Sequence, residues 1–319
     1  MRSYYFLKNG QSIQRISLEG DPPGIAEVLQ IGLIEPNCKV NVSYNLHGDG
    51  GFVPSIFCHD QTTGNVFYYF DNRGRYEKFS LGNIPPEWQL QVFRIIDATG
   101  ELGGTQIFGH NRRTDPKHED YGKVQIWNIH DLSRPQIITR IGPEWELMLG
   151  DFDGNHFVDF MGRRMIKTDE GAKGDLRVWF MGASSLGLNI VGRRDSGNIG
   201  VEWKLQVADM NFDGRADLFG YNANSDLWAW YNINDEFGPG RFDGGKSYGT
   251  FKKQWQHLEI THLRSDVPAS ADILGIATNG GEVHSWPLTN GGLRDNGVSV
   301  GSAPTGWLPL GGLPLTRVE

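Results

Sequence analysis

The chain has 319 residues, a formal charge of −8, 43 glycines, 10 tryptophans and only 2 cysteines. The acidic balance argues against a nucleic-acid or anionic-membrane partner, and 38 % hydrophobic with 12 % aromatic residues excludes wholesale disorder. Two cysteines cannot build a disulfide framework, no stretch approaches the ~18 apolar residues that span a bilayer, and MRSYYFLKNGQSIQRISL lacks the apolar run of a secretory signal, so a cytoplasmic or non-classically secreted protein is expected.

From the N-terminus, Ser3–Leu18 carries Tyr5 in SYYFLKN and reads as two strands of an incomplete unit. The first full unit opens at Cys38 in PNCKVNV and carries Tyr69 in VFYYFDN. The second opens at Trp88 in PEWQLQV, followed by IFGHN and by Trp127 in VQIWNIH. The third has Trp145 in PEWELML, then DFMGR, then Trp179 in LRVWFMG. Trp203 in VEWKLQV, DLFGY and Trp230 in LWAWYNI make the fourth, and Trp255 in KQWQHLEI, DILGI and Trp286 in VHSWPLT the fifth. Trp307 in TGWLPL opens the last. Each segment is short, aromatic or β-branched, and bounded by Gly, Asn or Asp, which is a strand signature; none sustains a 3.6-residue apolar period.

The openings are spaced by 50, 57, 58, 52 and 52 residues, and by 50 more around the join of the termini. Each unit reads as four strands, a to d, with the opening Trp or Cys at the start of a, the apolar-Gly segment as b and the second aromatic in c. Repeats of this length with four short strands predict an all-β, six-bladed β-propeller of four-stranded antiparallel blades, one domain over 1–319. The closing blade is expected to be shared by the two termini, with Ser3–Leu18 as its third and fourth strands and Trp307–Glu319 as its first. Only 17 residues separate Trp307 from Tyr5 around the join, so that blade is expected to be tight or three-stranded. Recurrence of the aromatic series in every unit is explained by packing between neighbouring sheets.

Two a–b connections are rich in oxygen donors. Asp209, Asn211, Asp213 and Asp217 stand at relative positions 1, 3, 5 and 9, with Gly214 at the bend and the Arg215 carbonyl available at position 7. Such a loop suits a hard cation, so Ca2+ in a structural role is expected. Asp151, Asp153, Asn155 and Asp159 repeat the spacing, but His156 replaces the bend glycine and predicts a weaker site. With these turns the chain resembles the FG-GAP/VCBS-repeat propellers, a group that includes mushroom lectins of the Psathyrella velutina type. The resemblance implies a carbohydrate-binding propeller stabilised by calcium in its a–b loops.

In a propeller the b–c and d–a loops share the opposite face. There the sequence gathers His59, His110, Arg112, Arg113, Arg163, Arg164, Tyr221 and Asn222 after strands b, and Glu87, Glu144 and Glu202 before strands a. A glycan or small-molecule ligand is expected at Glu144, Glu202, Arg113, Arg164, Tyr221 and Asn222, with the irregular Trp228 as the exposed aromatic. The alternative is a biosynthetic enzyme of cyclase, isomerase or lyase type at the channel mouth. His59 and His110 would then serve as acid or base, with Arg112 and Arg163 holding an anionic or carbonyl substrate. No covalent-nucleophile motif is present.

Overall fold

The computed structural model describes residues 3–19, 24–44, 54–72, 75–96, 102–168, 171–184, 187–211, 213–250, 255–261, 272–277, 281–289, 292–293, 297–302 and 307–309. Among these residues there are strands and turns and no helix. In chain order, β1 (Ser3–Asn9), β2 (Ser12–Glu19) and β3 (Gly24–Leu33) form an antiparallel meander. β4 (Cys38–Tyr44), β5 (Pro54–Asp60), β6 (Asn65–Asn72) and β7 (Arg75–Asn83) make the next sheet. β8 (Trp88–Ile96), β9 (Leu102–Asn111), β10 (Lys123–Asn128) and β11 (Asp131–Arg140) make the one after.

β12 (Trp145–Gly150) and β13 (Asp159–Arg164) are followed by a small hairpin, β14 (Ile166–Thr168) and β15 (Gly171–Lys173), before β16 (Asp175–Ser184) and β17 (Gly187–Asn198) complete that sheet. β18 (Lys204–Ala208), β19 (Asp217–Tyr221) and β20 (Asp226–Trp230) precede a second inserted hairpin, β21 (Asn232–Asp235) and β22 (Gly238–Phe242), and pair onward to β23 (Lys246–Thr250). β24 (Trp255–Thr261), β25 (Asp272–Ala277) and β26 (Glu282–Thr289) are joined by β27 (Gly292–Leu293) and β28 (Val298–Ser302). Finally β29 (Leu308–Pro309) pairs with β1.

Two expectations are corrected. Five of these sheets, not six, are four-stranded antiparallel blades of a propeller. The remaining sheet has five strands because β27 and β28 pair with different stretches of β26, Leu288–Thr289 and Glu282–Ser285. The second correction concerns the termini. β1 lies between β29 and β2, so Ser3–Leu18 supply the second and third strands of their sheet, β3 is the fourth, and the sheet has four strands. Tyr5 therefore stands in a strand of type b, out of step with the other aromatics of its series.

The fourth strands are the most exposed, as β7 and β11 show along their length, and the first strands are largely covered; the first strands thus face the axis and the fourth the periphery. Buried side chains fill the spaces between sheets. Phe57 and Val66 pack with Trp88, Ile107 and Trp127, and Phe108 and Ile126 pack with Phe160 and Trp179. Ile16 meets Leu274 and Val300, while Phe6 and Ile13 meet Ile56 and Tyr69, so the sheet built from both ends of the chain has a core on each side.

The two tryptophan series meet within a blade. Trp88 and Trp127 lie edge to face with centroids 4.9 Å apart, Trp145 and Trp179 at 5.7 Å, and Trp203 and Trp230 at 5.3 Å. This geometry contributes about 0.5–1.5 kcal/mol per pair beyond burial. It also explains the glycine in strand b. A Cβ at Gly109 would lie 2.5 Å from the Trp127 ring and 2.9 Å from Leu90, and one at Gly162 would lie 2.9 Å from both Trp145 and Trp179.

The β4–β7 blade replaces this arrangement. Cys38 takes the place of the first Trp and Cys58 that of the glycine, and the two are joined by a disulfide with Cα atoms 5.4 Å apart. A covalent link thus stands where the other blades stack indoles. Closing a loop of this separation, 20 residues, contributes about 3 kcal/mol in the chain-entropy treatment. Reductant is accordingly expected to lower the melting temperature by roughly 5 °C or more. A Cys38→Ser/Cys58→Ser protein should start lower and ignore reductant. Unchanged melting of the parent under reduction would contradict this.

Candidate functional site

The d–a turns have one backbone design. The amides of Cys38, Trp88, Trp145 and Trp203 donate to the carbonyls of Glu35, Pro85, Gly142 and Gly200 at 3.1–3.3 Å. The end of strand b then binds the turn, as Gln61 N–H donates to Asn37 O at 3.0 Å, Arg112 N–H to Glu87 O at 2.9 Å, and Met165 N–H to Glu144 O at 2.7 Å. Backbone bonds therefore fix the residue just before each first strand. In three consecutive blades that residue is glutamate: Glu87, Glu144, Glu202.

Cations meet two of these carboxylates. Arg113 pairs with Glu87, and Arg164 Nε lies 4.0 Å from Glu144 Oε1. All four side chains are partly open to solvent, so the pairs hold the groups in place more than they stabilise the fold. Gly142 and Gly200 are close-approach positions, because a Cβ there would collide with the carboxylates of Glu144 and Glu202. Aromatic surface lies beside them. Trp145 is half-buried with the Arg177 guanidinium 5.6 Å from its ring, and Lys204 Nζ stands 5.4 Å from the Tyr221 ring. Asn222 closes strand b of that blade and bonds Asp226. Trp228, expected to be exposed, is half-buried, stacked on Trp230 at 6.3 Å and edge-on to Trp203 at 6.2 Å.

The residues expected to act as acid or base are elsewhere in the chemistry. His59 and His110 are each 1 % exposed, and their Nε2 atoms lie 2.8 Å from Ile84 O and Ile141 O. Each ring thus donates to the carbonyl just past the outer strand of its own blade, anchoring the d–a turn that follows. Arg163, 3 % exposed, does the same work in the next blade, donating to Trp203 O at 2.7 Å and Gly200 O at 3.3 Å and pairing with Glu146 at 2.8 Å. The acid/base role expected of the two histidines is replaced by a structural one, since buried rings bonded to backbone do not reach a ligand.

Burial pushes both histidines below their ordinary pKa, His110 down to about 4, with the nearby Arg112 charge acting in the same direction and the bond to Ile141 opposing it. A depressed folded-state pKa means that stability is full above the unfolded value of 6.5 and is lost as pH falls from 6.5 toward 4. The loss for His110 is expected to reach no more than about 3 kcal/mol. A His110→Gln protein should show a flatter melting profile across this window, and an unchanged slope would contradict the assignment.

The Asp-rich turns lie at the other end of the strands. Asp217 is fully buried and accepts from Met210 N–H at 2.9 Å and Asn232 N–H at 2.7 Å; Asp159 repeats this with Phe152 N–H at 2.8 Å and Met181 N–H at 2.7 Å. Burial raises Asp159 to about 8 and Asp217 to about 7, with neighbouring carboxylates adding to it. The two turns touch: Ala216 N–H donates to Asp151 O at 2.6 Å, and Asn232 Nδ2 bridges Phe152 O and Ala216 O at 2.7 and 3.1 Å.

Carboxylate oxygens of Asp151, Asp153 and Asp159 converge within 4.8 Å of one another. In the better sequence match, Arg215 places a guanidinium 2.5 Å from Asp213 Oδ2, while Asn211 Oδ1 accepts from Asp213 N–H. Among the described residues the convergence of acidic oxygens is found in the Asp151–Asp159 turn and not in the Asp209–Asp217 turn. His156 adopts φ 69°, the left-handed conformation that Gly214 reaches at φ 82° in the other turn, so the missing glycine has not changed the bend. Asn155 lies alongside, donating to Asp153 Oδ2 at 3.0 Å.

No family model and no curated protein sequence matches the chain. Solved structures do match in fold. AofleA from Arthrobotrys oligospora aligns with a TM-score of 0.54 at 11 % identity, covering 93 % of this chain and 81 % of that one. An Agrocybe aegerita lectin, described for specific recognition of non-reducing terminal N-acetylglucosamine, aligns with a TM-score of 0.50 at 12 % identity, covering 94 % and 91 %. At these identities the likeness establishes the propeller arrangement alone. Among the described residues no helix is long and apolar enough to cross a membrane.

Proposed function

We propose that the chain is a carbohydrate-binding propeller, with the β24–β28 sheet serving as the sixth blade of the ring, and that glycans dock on the face of the d–a turns. The observation that carries this reading is the recurrence, in the d–a turns of successive blades, of a glutamate before the opening Trp, met by an arginine at Glu87–Arg113 and Glu144–Arg164, with the half-buried Trp145 beside the second pair. Sugar hydroxyls donate and accept together, which a paired carboxylate and guanidinium can both answer, while an aromatic face receives the C–H surface. Glu144 and Arg164 beside Trp145 form one such subsite. Glu202 with Asn222, Tyr221 and Trp228 forms a second, and Glu87 with Arg113 a third. The lectin among the structural neighbours supports the same class of ligand.

The a–b turns are read as FG-GAP/VCBS-type loops that hold Ca2+ structurally. Their donors are all oxygens, as a hard cation requires, and the convergence of Asp151, Asp153 and Asp159 supports occupancy there first. Asp209, Asn211, Asp213, Asp217 and the Arg215 carbonyl would form the second site once Arg215 swings its side chain off Asp213. Bound calcium would offset carboxylate repulsion and pin the turns. Calcium is expected to raise the melting temperature of chelator-treated protein, and the rise should shrink in Asp153→Asn. Melting indifferent to calcium would refute the metal reading without touching the glycan one.

The glycan reading is tested on a glycan array. The parent protein is expected to retain at least one class of terminal sugar, and Glu144→Gln/Arg164→Ala to bind it at least tenfold more weakly with unchanged melting. An array without signal would overturn the reading.

A further inference from the structure

The disulfide of the β4–β7 blade sits beside a carboxylate. Cys38 opens the first strand, and its amide donates to the carbonyl of Glu35 in the d–a turn before it. Cys58 lies across the ladder in β5, next to the Asn41–Phe57 pair. The two sulfurs and a Glu35 oxygen lie within 4.8 Å of one another, with Glu35 Oε2 3.9 Å from Cys58 Sγ. Both cysteines are buried, while the Glu35 side chain is 24 % exposed and forms the solvent side of the triangle.

The carboxylate is held by groups other than the sulfurs. Tyr69 O–H donates to Glu35 Oε2 at 2.7 Å, and Lys78 pairs with Oε1. Burial raises the Glu35 carboxyl, but the bonds from Lys78 and Tyr69 outweigh it and keep the group below the usual carboxylate range. Its charge and orientation therefore do not depend on whether the sulfurs are joined.

A disulfide persists in an oxidising compartment, whereas in a reducing one the same pair is two thiols. Two thiols and a fixed carboxylate are a donor set for a borderline divalent metal. Zn–S bonds of ~2.3 Å and Zn–O bonds of ~2.0–2.2 Å set ligand atoms ~3.5–3.8 Å apart around a tetrahedron, within the spread of this triangle.

We propose that the reduced protein binds Zn2+ through Cys38 Sγ, Cys58 Sγ and a Glu35 oxygen, so that this blade exchanges a covalent cross-link for a metal one. A dithiol supplies the two electrons and two protons that open the S–S bond, and closes its own disulfide. Zinc then displaces both thiol protons to solvent. Two thiolates and a carboxylate leave one negative charge in excess, which the Lys78 ammonium offsets. Three protein ligands leave the fourth tetrahedral position to water. The site shares no residue with the glycan subsites or the Asp-rich turns and does not depend on either reading.

Metal titrations test it on protein reduced with a dithiol and freed of it by anaerobic gel filtration. One equivalent of Co2+ is expected to produce the intense near-ultraviolet band of sulfur-to-cobalt charge transfer, and Zn2+ to bleach it. Disulfide-bonded protein should give no band, and neither should the Asp-rich turns, which offer oxygen alone. Zn2+ is also expected to return the melting temperature of the reduced protein toward that of the disulfide-bonded form. Glu35→Gln keeps both thiols and should bind Zn2+ more weakly by roughly tenfold or more. Reduced protein without the band, or Glu35→Gln with the parent's Zn2+ affinity, would overturn the proposal.

Discussion

Deleting residues 1–18 is expected to abolish the cooperative unfolding transition. The cut removes β1 and nearly all of β2, the second and third strands of a four-stranded sheet, and leaves β29 without its partner and β3 as an isolated edge. It also removes Phe6, Ile13 and Ile16, at most 2 % exposed, from the cores on both sides of that sheet. Burial of three such side chains is worth about 5–9 kcal/mol, the same order as the whole stability of a folded protein. Circular dichroism melting checks it, and a truncated protein that melts cooperatively near the parent temperature would contradict the closure by both ends of the chain.

Gly109→Val is expected to lower stability by about 3 kcal/mol or more, because overpacking here has no soft neighbour to displace. The new Cβ would enter the Trp127 ring, which is held edge-on against Trp88, and would press Leu90 from the other side. Gly104 is a suitable control on the same strand, since the nearest atom to a Cβ there is Gln106 Nε2 at 3.9 Å. Gly104→Val should stay within about 0.5 kcal/mol of the parent. Urea midpoints decide between them, and equal midpoints would remove the steric account of the strand-b glycine.

The sequence made the strands legible because their signals are local. Trp and Gly recur in phase since each Trp pair needs a residue without a side chain beneath it, and the six openings were countable for that reason. The reading failed where long-range pairing decides. Tyr5 shares the composition of its series, yet only its pairing with β29 places it one strand earlier. The split of β27 from β28 depends on where a ladder breaks, and β21–β22 is an insertion between strands that periodicity passed over. The spacing put Cys38 in the position of the opening Trp, but nothing in it signalled that Cys58 holds the position of the glycine and bonds Cys38.

At the candidate site the residue types were legible and their orientations were not. His59, His110 and Arg163, expected just after strand b, lie inside it, and carbonyls of the d–a turns draw them inward. Glu144 and Arg164 were named separately, and the turn that brings them together is a backbone feature. The Asp-rich turns show the same limit: spacing matched Asp209–Asp217 best, whereas the Arg215 guanidinium pairs with Asp213 and the acidic oxygens that converge are those of Asp151, Asp153 and Asp159.

The most direct measurement is isothermal titration of the strongest array glycan into parent protein and into Arg164→Ala. Saturable binding to the parent, weakened at least tenfold in the variant while the fold is unchanged, is the expected result. A glycan that releases no heat with the parent, or binds both proteins equally, would contradict carbohydrate recognition on the face of the d–a turns.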